Sequence, residues 1–154
     1  MIAATTSVEV HIEVPRGGFS KRDSARRLEF LSPVPCPFNY GAAPALAGAD
    51  GAALDAVVLG PRLPAGARLY CPVQAVVRFI DADQEDDKLV CAAAPLSAAQ
   101  GRMVLGFFRV YAVAKRVINA VQGHAGATRC AGWGDVAAVL CRAEARAAAA
   151  RAAS

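Results

Sequence analysis

Histidine, paired sulfur ligands and long apolar runs are all scarce in this chain. Only two of its 154 residues are histidine, and the five cysteines (Cys36, Cys71, Cys91, Cys130, Cys141) form an odd set without Cys-x-x-Cys spacing. A structural zinc site and a disulfide framework are therefore not expected, and reduced buried thiols are. No apolar run approaches the roughly 20 residues of a membrane span. Residues 1–9, Met-Ile-Ala-Ala-Thr-Thr-Ser-Val-Glu, carry neither a basic n-region nor an apolar h-region, so no secretory signal is read and a cytoplasmic location is expected. Aromatics make up only 6%. The net charge is +4, but no basic stripe with interleaved aromatics accompanies it, so nucleic acid is not an expected partner. What remains is an alanine-rich chain, 55% hydrophobic. It is long enough to bury a core, and it is read as a single domain, 1–154.

Acidic residues are few, yet they are concentrated. Of thirteen in the chain, Asp81, Asp83, Glu85, Asp86 and Asp87 crowd into one short stretch between Phe79 and Val90, with Lys88 directly after them. Like charges gathered this closely need water, a cation or a basic partner. A solvated hairpin tip is the plain alternative. The flanks of this loop are strand-like. Residues 7–14 alternate strictly, with Val8, Val10, Ile12 and Val14 on one face and Glu9, His11 and Glu13 on the other. That is the pattern of a half-buried strand. His11, on the polar face, reads as solvated.

Leu28 to Leu31 reads as a short strand. Pro33, Pro35 and Pro37 then force an irregular connection into Asn39-Tyr40-Gly41. Residues 42–53 are small and turn-rich; Leu54 to Leu59 is an apolar strand carrying Asp55; Pro61 to Gly66 is a turn. Arg68 to Ile80 supplies one bent strand or two, and Lys88 to Ala93 is the returning one. Several short strands in series predict a small closed or strongly curved sheet. The apolar density from Met103 to Val121 predicts a largely buried helix over 101–122, ended by Gly123 and Gly126. Ala127 to Ala131 is a further edge strand. Asp135 opens a final alanine-rich helix.

A curved sheet can bring strand ends to one mouth, where Asp50 with Asp55, the loop carrying Asp81 and Asp86, and Glu13 with Asp23 would meet. Clustered carboxylates without histidine or thiolate suit hard cations such as Mg²⁺ or Mn²⁺. Lys21, Lys88 and Tyr40 would add phosphate donors, so the ligand class is an anionic, phosphorylated one.

In Ile12-Glu13-Val14-Pro15, Lys21-Arg22-Asp23, Pro37-Phe38-Asn39-Tyr40-Gly41, the segment Asp50 to Asp55, the segment Asp81 to Lys88, Phe107-Phe108 with Tyr111, and Gly132-Trp133, the chain resembles the soluble family I inorganic pyrophosphatases. The resemblance covers Val8 to Trp133, and the order and spacing of these motifs make it specific. It implies an α+β fold, a small, highly twisted five-stranded antiparallel barrel of OB-like form with two main helices. It also implies homo-oligomers, commonly hexamers in bacteria. The implied activity is Mg²⁺-dependent hydrolysis of pyrophosphate to two phosphates by a metal-activated water. By the same resemblance, Asp50, Asp55 and Asp86 hold the tightest metals. Asp81, with Asp23 directly or through water, meets those that arrive with substrate. Glu13 orders metal-bound water. Lys21, Tyr40, Lys88 and Tyr111 hold phosphate.

The departures fall in the site. The family's Asp-Gly-Asp-Pro-x-Asp signature has Ala52 in place of the general-base carboxylate and Ala53 in place of proline. Ala82 replaces an acid, Leu28 a phosphate-binding arginine, Ala112 a lysine and Cys36 a tyrosine. Asp23 shortens the acid of the Lys-Tyr-Glu motif, and the segment 112–127 is longer than usual by several residues. Arg27, Arg116 and Asp83 are the nearby candidates to cover Leu28, Ala112 and Ala82, while nothing adjacent covers Ala52. Two classes of function follow: a divergent, slow inorganic pyrophosphatase, or a catalytically inactive relative that binds metal, phosphate or a partner subunit. A third, hydrolysis of an organic phosphoanhydride, is favoured only by the vacancies at Leu28 and Ala112.

Overall fold

The computed structural model of the chain describes residues 5–22, 28–32 and 34–154, with backbone alone for 20–22 and 28–31. Asp23, Arg27 and Pro33 fall outside them. The described strands are β1 (Ser7–Val14), β2 (Ser20–Arg22), β3 (Leu28–Leu31), β4 (Asn39–Ala47), β5 (Ala53–Val58), β6 (Arg68–Asp81), β7 (Gln84–Glu85), β8 (Lys88–Cys91) and β9 (Arg129–Trp133); the helices are α1 (Ala98–Gln122) and α2 (Val136–Ala152).

Five strands close on themselves in the order β1-β4-β5-β8-β6, with β6 returning to β1. Closure falls on β1. Its residues Ser7 to His11 pair with β6, and His11 to Val14 pair with β4. A strand can serve two neighbours in this way only where the sheet bends sharply, and register shifts at Ile12/Val14, Ala43/Ala47 and Val73/Ala75 supply the bends. Gly41 makes the tightest approach, since a Cβ there would lie 1.9 Å from the carbonyl oxygen of His11. Only glycine lets β4 press onto β1 at this point. His11 turns outward, its Nε2 2.9 Å from Glu9 Oε1.

The five-stranded barrel with two helices is as the family resemblance implies, and its closure is as the series of short strands predicts. Its pairings are antiparallel apart from β5 with β8, which run parallel through Ala56–Leu89, Val57–Val90 and Val58–Cys91. A parallel pair needs a long crossover. Here β6 and the acidic hairpin provide it. The segment 42–53 is more regular than its small residues suggest, because β4 continues to Ala47 with Ala43, Leu46 and Ala47 buried. Burial overrides the weak strand preference of alanine. Arg68–Asp81 is one strand, and β9 lies two residues later than expected, paired with β6.

Alternation along the strands divides the core. Leu54, Ala56 and Val58 join Val10, Ile12 and Val76 in a cluster covered by Val139, Leu140 and Ala143 of α2. Val57 and Val77 point the other way, into a cluster with Phe38, Phe79 and Val104, Phe107, Phe108 and Tyr111 of α1. Phe108 lies 5.8 Å from Phe38, 6.2 Å from Phe79 and 6.0 Å from Tyr111, centroid to centroid. Such offset and edge-on pairs favour one arrangement of the helix over others. The Ser97–Gln100 capping box starts α1, and Gly123 at φ 75° ends it. The helix is not largely buried, however. Val110, Val113, Val117 and Val121 form an exposed apolar stripe on the face away from the barrel.

Phe108→Ala removes a fully buried ring from this cluster and is expected to cost about 3–5 kcal/mol. Val117→Ala, on the exposed stripe, should change stability by no more than about 0.5 kcal/mol. Urea unfolding of the two variants under conditions where the chain is monomeric checks the contrast.

Candidate active site

Strand register sets the centre of the site. Because Ala56 pairs with Leu89 in the parallel ladder, the preceding residues Asp55 and Lys88 stand side by side. Ala42 pairs with Asp55 across β4, so Tyr40, two residues along, is its diagonal neighbour on the same face. Lys88 Nζ lies 2.5 Å from Asp55 Oδ2 and 2.8 Å from Asp86 Oδ2. It also sits 5.4 Å from the centroid of the Phe79 ring. The Tyr40 hydroxyl donates to Asp55 Oδ2 at 2.8 Å.

Lys88 is only 1% exposed. Burial alone would drive its proton off, but Asp55 and Asp86 outweigh that and hold the ammonium well above its ordinary pKa. Burial raises the pKa of Tyr40 and of Tyr111, so both hydroxyls remain protonated donors, with Asp55 adding to the shift in each case. Burial also raises Asp86, against the pull of Lys88.

Asp50 sits in the turn before β5, where its Oδ1 accepts from the backbone N–H of Ala52 at 3.0 Å. The turn therefore keeps its shape although Ala52 and Ala53 carry no polar side chain. At the other wall Asp81 ends β6. Its Oδ1 accepts from Asn119 Nδ2 at 2.7 Å and from the Thr128 hydroxyl at 3.2 Å. Its Oδ2 lies 3.4 Å from Lys115 Nζ.

Ala82 and Asp83 both adopt positive φ, 49° and 67°, as the central residues of a tight two-residue hairpin turn need. That geometry turns Asp83 outward, and its Oδ1 accepts from Ala127 N at 2.8 Å. Asp83 thus does not cover the acid missing at Ala82. Nor does Arg116 cover Ala112, because its Nε donates to the Thr128 carbonyl at 2.8 Å. Lys115 lines the cavity instead, one helical turn beyond Tyr111. It was missed in the sequence, where its i, i+4 spacing from Tyr111 is the signal that could have found it. The backbone of β2 and β3 shows a register shift between Lys21 and Arg22, which pairs Arg22 with Leu28.

A further cation comes from α2. Arg146 Nη2 lies 2.8 Å from Glu85 Oε2, and Arg142 Nη2 lies 2.7 Å from Glu85 Oε1. The hydrogen bond from Arg146 is the main reason the Glu85 carboxyl drops to about 2. Asp87 behaves oppositely. It is 3% exposed, its Oδ1 accepts from Phe79 N at 3.2 Å, and its Oδ2 is a buried oxygen with no hydrogen-bond partner among the described residues. Burial, then the neighbouring Glu85, pushes the Asp87 carboxyl up to about 6. Arg146 could have been suspected from its i, i+4 spacing to Arg142, whereas nothing in the sequence distinguishes Asp87 from its acidic neighbours.

Glu13, Tyr40, Asp50, Asp55, Asp81, Asp86, Lys88 and Tyr111 all line one cavity of about 400 Å³, and Lys115 and Arg146 line it with them. Of the other two expected site residues, Lys21 has only its backbone described, on β2, and Asp23 lies outside the described residues. Ala52 and Ala53 form part of the wall. Ala112 is buried in the α1 cluster. Cys36 is buried as well, and burial pushes its thiol up to about 11, so it is an inert thiol rather than a reactive one.

In kind, the donors fit a hard divalent cation, since the acids on the wall offer oxygen alone and no histidine or thiolate joins them. In arrangement, no three such side chains converge on a metal position among the described residues. The ammonium of Lys88 takes the space between Asp55 and Asp86.

The fold is shared with many solved structures, inorganic pyrophosphatases among them. The inorganic pyrophosphatase of Neisseria gonorrhoeae superposes with a TM-score of 0.70 at 23% identity, over 92% of this chain and 91% of that one. That of Thermus thermophilus gives 0.71 at 23%, over 92% and 91%. An N-terminally truncated vacuolar soluble pyrophosphatase of Trypanosoma cruzi, in complex with PPi, gives 0.70 at 17%, over 98% and 72%. Among curated protein sequences none matches. The family profile described as inorganic pyrophosphatase matches residues 10–129, and the chain belongs to that family. The family is one of divalent-metal-dependent hydrolases.

Asp87 yields a test in metal-free buffer. Its folded pKa of about 6 exceeds the ordinary 3.8, so the folded state carries a penalty that is full above pH 6 and fades as the pH falls toward 4. Asp87→Asn should therefore stabilise the chain by about 1–3 kcal/mol at pH 7.5 and by little at pH 4.5. Melting temperatures of both proteins across that range decide it.

Proposed function

We propose that this chain is an inorganic pyrophosphatase of reduced activity, hydrolysing pyrophosphate to two phosphates with Mg²⁺, or with Mn²⁺ in its place. The observation that carries the reading is the meeting of Tyr40, Asp50, Asp55, Asp86, Lys88 and Tyr111 on one cavity. Asp50, Asp55 and Asp86 would hold the divalent cation, with Asp23 supporting it. When bound, it would supply Lewis-acid polarisation of a phosphoryl oxygen and a water acidic enough to attack at neutral pH. The remaining work falls to the chain's own groups. Lys88, kept charged by Asp55 and Asp86, binds phosphoryl oxygens together with Lys21. Tyr40 and Tyr111, kept protonated by burial, donate to the same oxygens. Glu13 orients water at the cavity wall.

The weak point is proton removal. At Ala52 the wall offers only a methyl group, and a missing general base typically costs about 10²–10⁴ in rate. The same methyl group favours a second reading, an inactive relative that binds metal and phosphate or a partner subunit. We further propose that the chain acts in the cytoplasm as one domain and assembles as a homo-oligomer, hexameric by resemblance. The exposed valine stripe of α1 supports assembly, because contiguous apolar patches on a surface commonly mark contacts between chains.

Phosphate release from pyrophosphate with Mg²⁺ tests the reading. Turnover about 10²–10⁴ below that of a relative with the full acidic signature is expected, and Ala52→Asp should raise it. Undetectable release by both forms would leave only the inactive binder. For assembly, Val117→Glu should lower the mass measured by sedimentation equilibrium; an unchanged mass would remove the stripe from the contact.

A further inference from the structure

We infer that Lys115, held in the cavity by Asp81, is a pyrophosphate-binding cation, and that Asp81 serves as its positioning residue rather than as a metal ligand. The inference rests on the pyrophosphatase reading above, and it assigns to the lengthened helix α1 a part in that site.

The carboxylate of Asp81 is already committed to its own chain. Asn119 Nδ2 donates to Oδ1 at 2.7 Å and to Thr128 Oγ1 at 3.0 Å. The Thr128 hydroxyl in turn donates to Asp81 Oδ1 at 3.2 Å and accepts from Ala82 N at 3.0 Å. Both partners are deeply buried, Asn119 at 5% and Thr128 at 4% exposure, and Arg116 clamps the Thr128 carbonyl from its other side. Oδ1 is thus fixed by two neutral donors. Oδ2 lies outside those two hydrogen bonds and meets Lys115 Nζ at 3.4 Å; both residues line the cavity, and the lysine side chain is 17% exposed. A divalent cation at Asp81 would have only Oδ2 to bind, since Asn119 and Thr128 close Oδ1, and it would share that one oxygen with the Lys115 ammonium.

Lys115 is suited to an anion. At 3.4 Å its contact with Asp81 is an ion pair looser than a close hydrogen bond. An ammonium has three donors, so the rest can serve a ligand oxygen. It lines the same cavity as Lys88 and Asp50. The helix segment that carries it also carries Asn119 and Arg116, so the residues that saturate Asp81 and the cation that replaces a metal there arrive together. Ala112, buried at 2%, has no cation to offer the site.

Calorimetry with imidodiphosphate, a pyrophosphate analogue that is not hydrolysed, tests the inference on the full chain with Mg²⁺ present. Lys115→Met should weaken binding by about ten- to hundredfold, the range for a charge-assisted hydrogen bond. Lys115→Arg should recover most of it. The number of Mn²⁺ ions bound, counted with and without imidodiphosphate, should be the same in Asp81→Asn as in the parent, while imidodiphosphate affinity falls because the ammonium loses its anchor. Loss of one Mn²⁺ in Asp81→Asn, or undiminished affinity in Lys115→Met, overturns the inference and leaves the pyrophosphatase reading standing. A parent chain that binds no imidodiphosphate overturns both.

Discussion

A buried ammonium between two carboxylates sets the terms for the whole molecule. Lys88 Nζ, with Asp55 and Asp86 on either side and the Phe79 ring beneath it, is a charge taken almost completely out of water. The desolvation cost of such an arrangement is offset only when partners are placed closely and none is missing. That demand reaches outward into the fold. Asp55 and Lys88 are neighbours because β5 and β8 run parallel, and they run parallel because β6 and the acidic hairpin carry the chain across between them. Tyr40 joins through the β4–β5 register, and that register holds only because β4 can press onto β1 at Gly41. Barrel closure and the electrostatics of the site are one constraint expressed at two scales.

The acidic stretch between Phe79 and Val90 divides accordingly. Its members look alike in sequence and have five different environments in the structure. Asp86 faces the buried lysine; Asp81 is tied to α1 and to Thr128 just before β9; Asp83 is turned out by the hairpin; Glu85 is held by two arginines of α2; Asp87 is buried, with Arg142 3.7 Å from an oxygen that has no hydrogen bond among the described residues. Alternation along a strand separates neighbours onto opposite faces, and the positive φ values at Ala82 and Asp83 reset which face comes next. A solvated tip would have been the simpler outcome. Instead the hairpin binds both helices to the barrel.

The fold was legible in the sequence to the extent that it depends on local signals. The alternation of residues 7–14 and the aromatic spacing of α1 each specify an element by themselves. The cavity residues at fixed offsets from such signals were legible in the same way, as Asp55 and Lys88 are on their strands. What could not be read was set by contacts between distant segments. Whether Lys115 or Arg116 faces the cavity depends on how α1 lies against residue 128, and a rotation of a helix by one residue interchanges them. Whether Asp83 can stand in for Ala82 depends on the turn type. Which side of α1 is buried depends on where the barrel's aromatic cluster sits, and the valines at 113, 117 and 121 read as core until that side was fixed.

The charge pattern of the cavity gives the loss at Ala52 a physical meaning. Among the described residues, most acids on the wall have a compensating group from the same chain. Asp55 and Asp86 share Lys88, Asp81 has Lys115, Glu85 has Arg142 and Arg146, and Asp50 has the backbone N–H of Ala52. Asp87 has Arg142 Nη2 3.7 Å from its Oδ2. A further carboxylate at position 52 would enter a wall whose cations are already matched, and only metal ions could offset it. Without that acid the cavity is held together by the protein's own ammonium and guanidinium groups. With those charges matched, position 52 adds only a methyl group to the wall, and no side chain there can accept a proton.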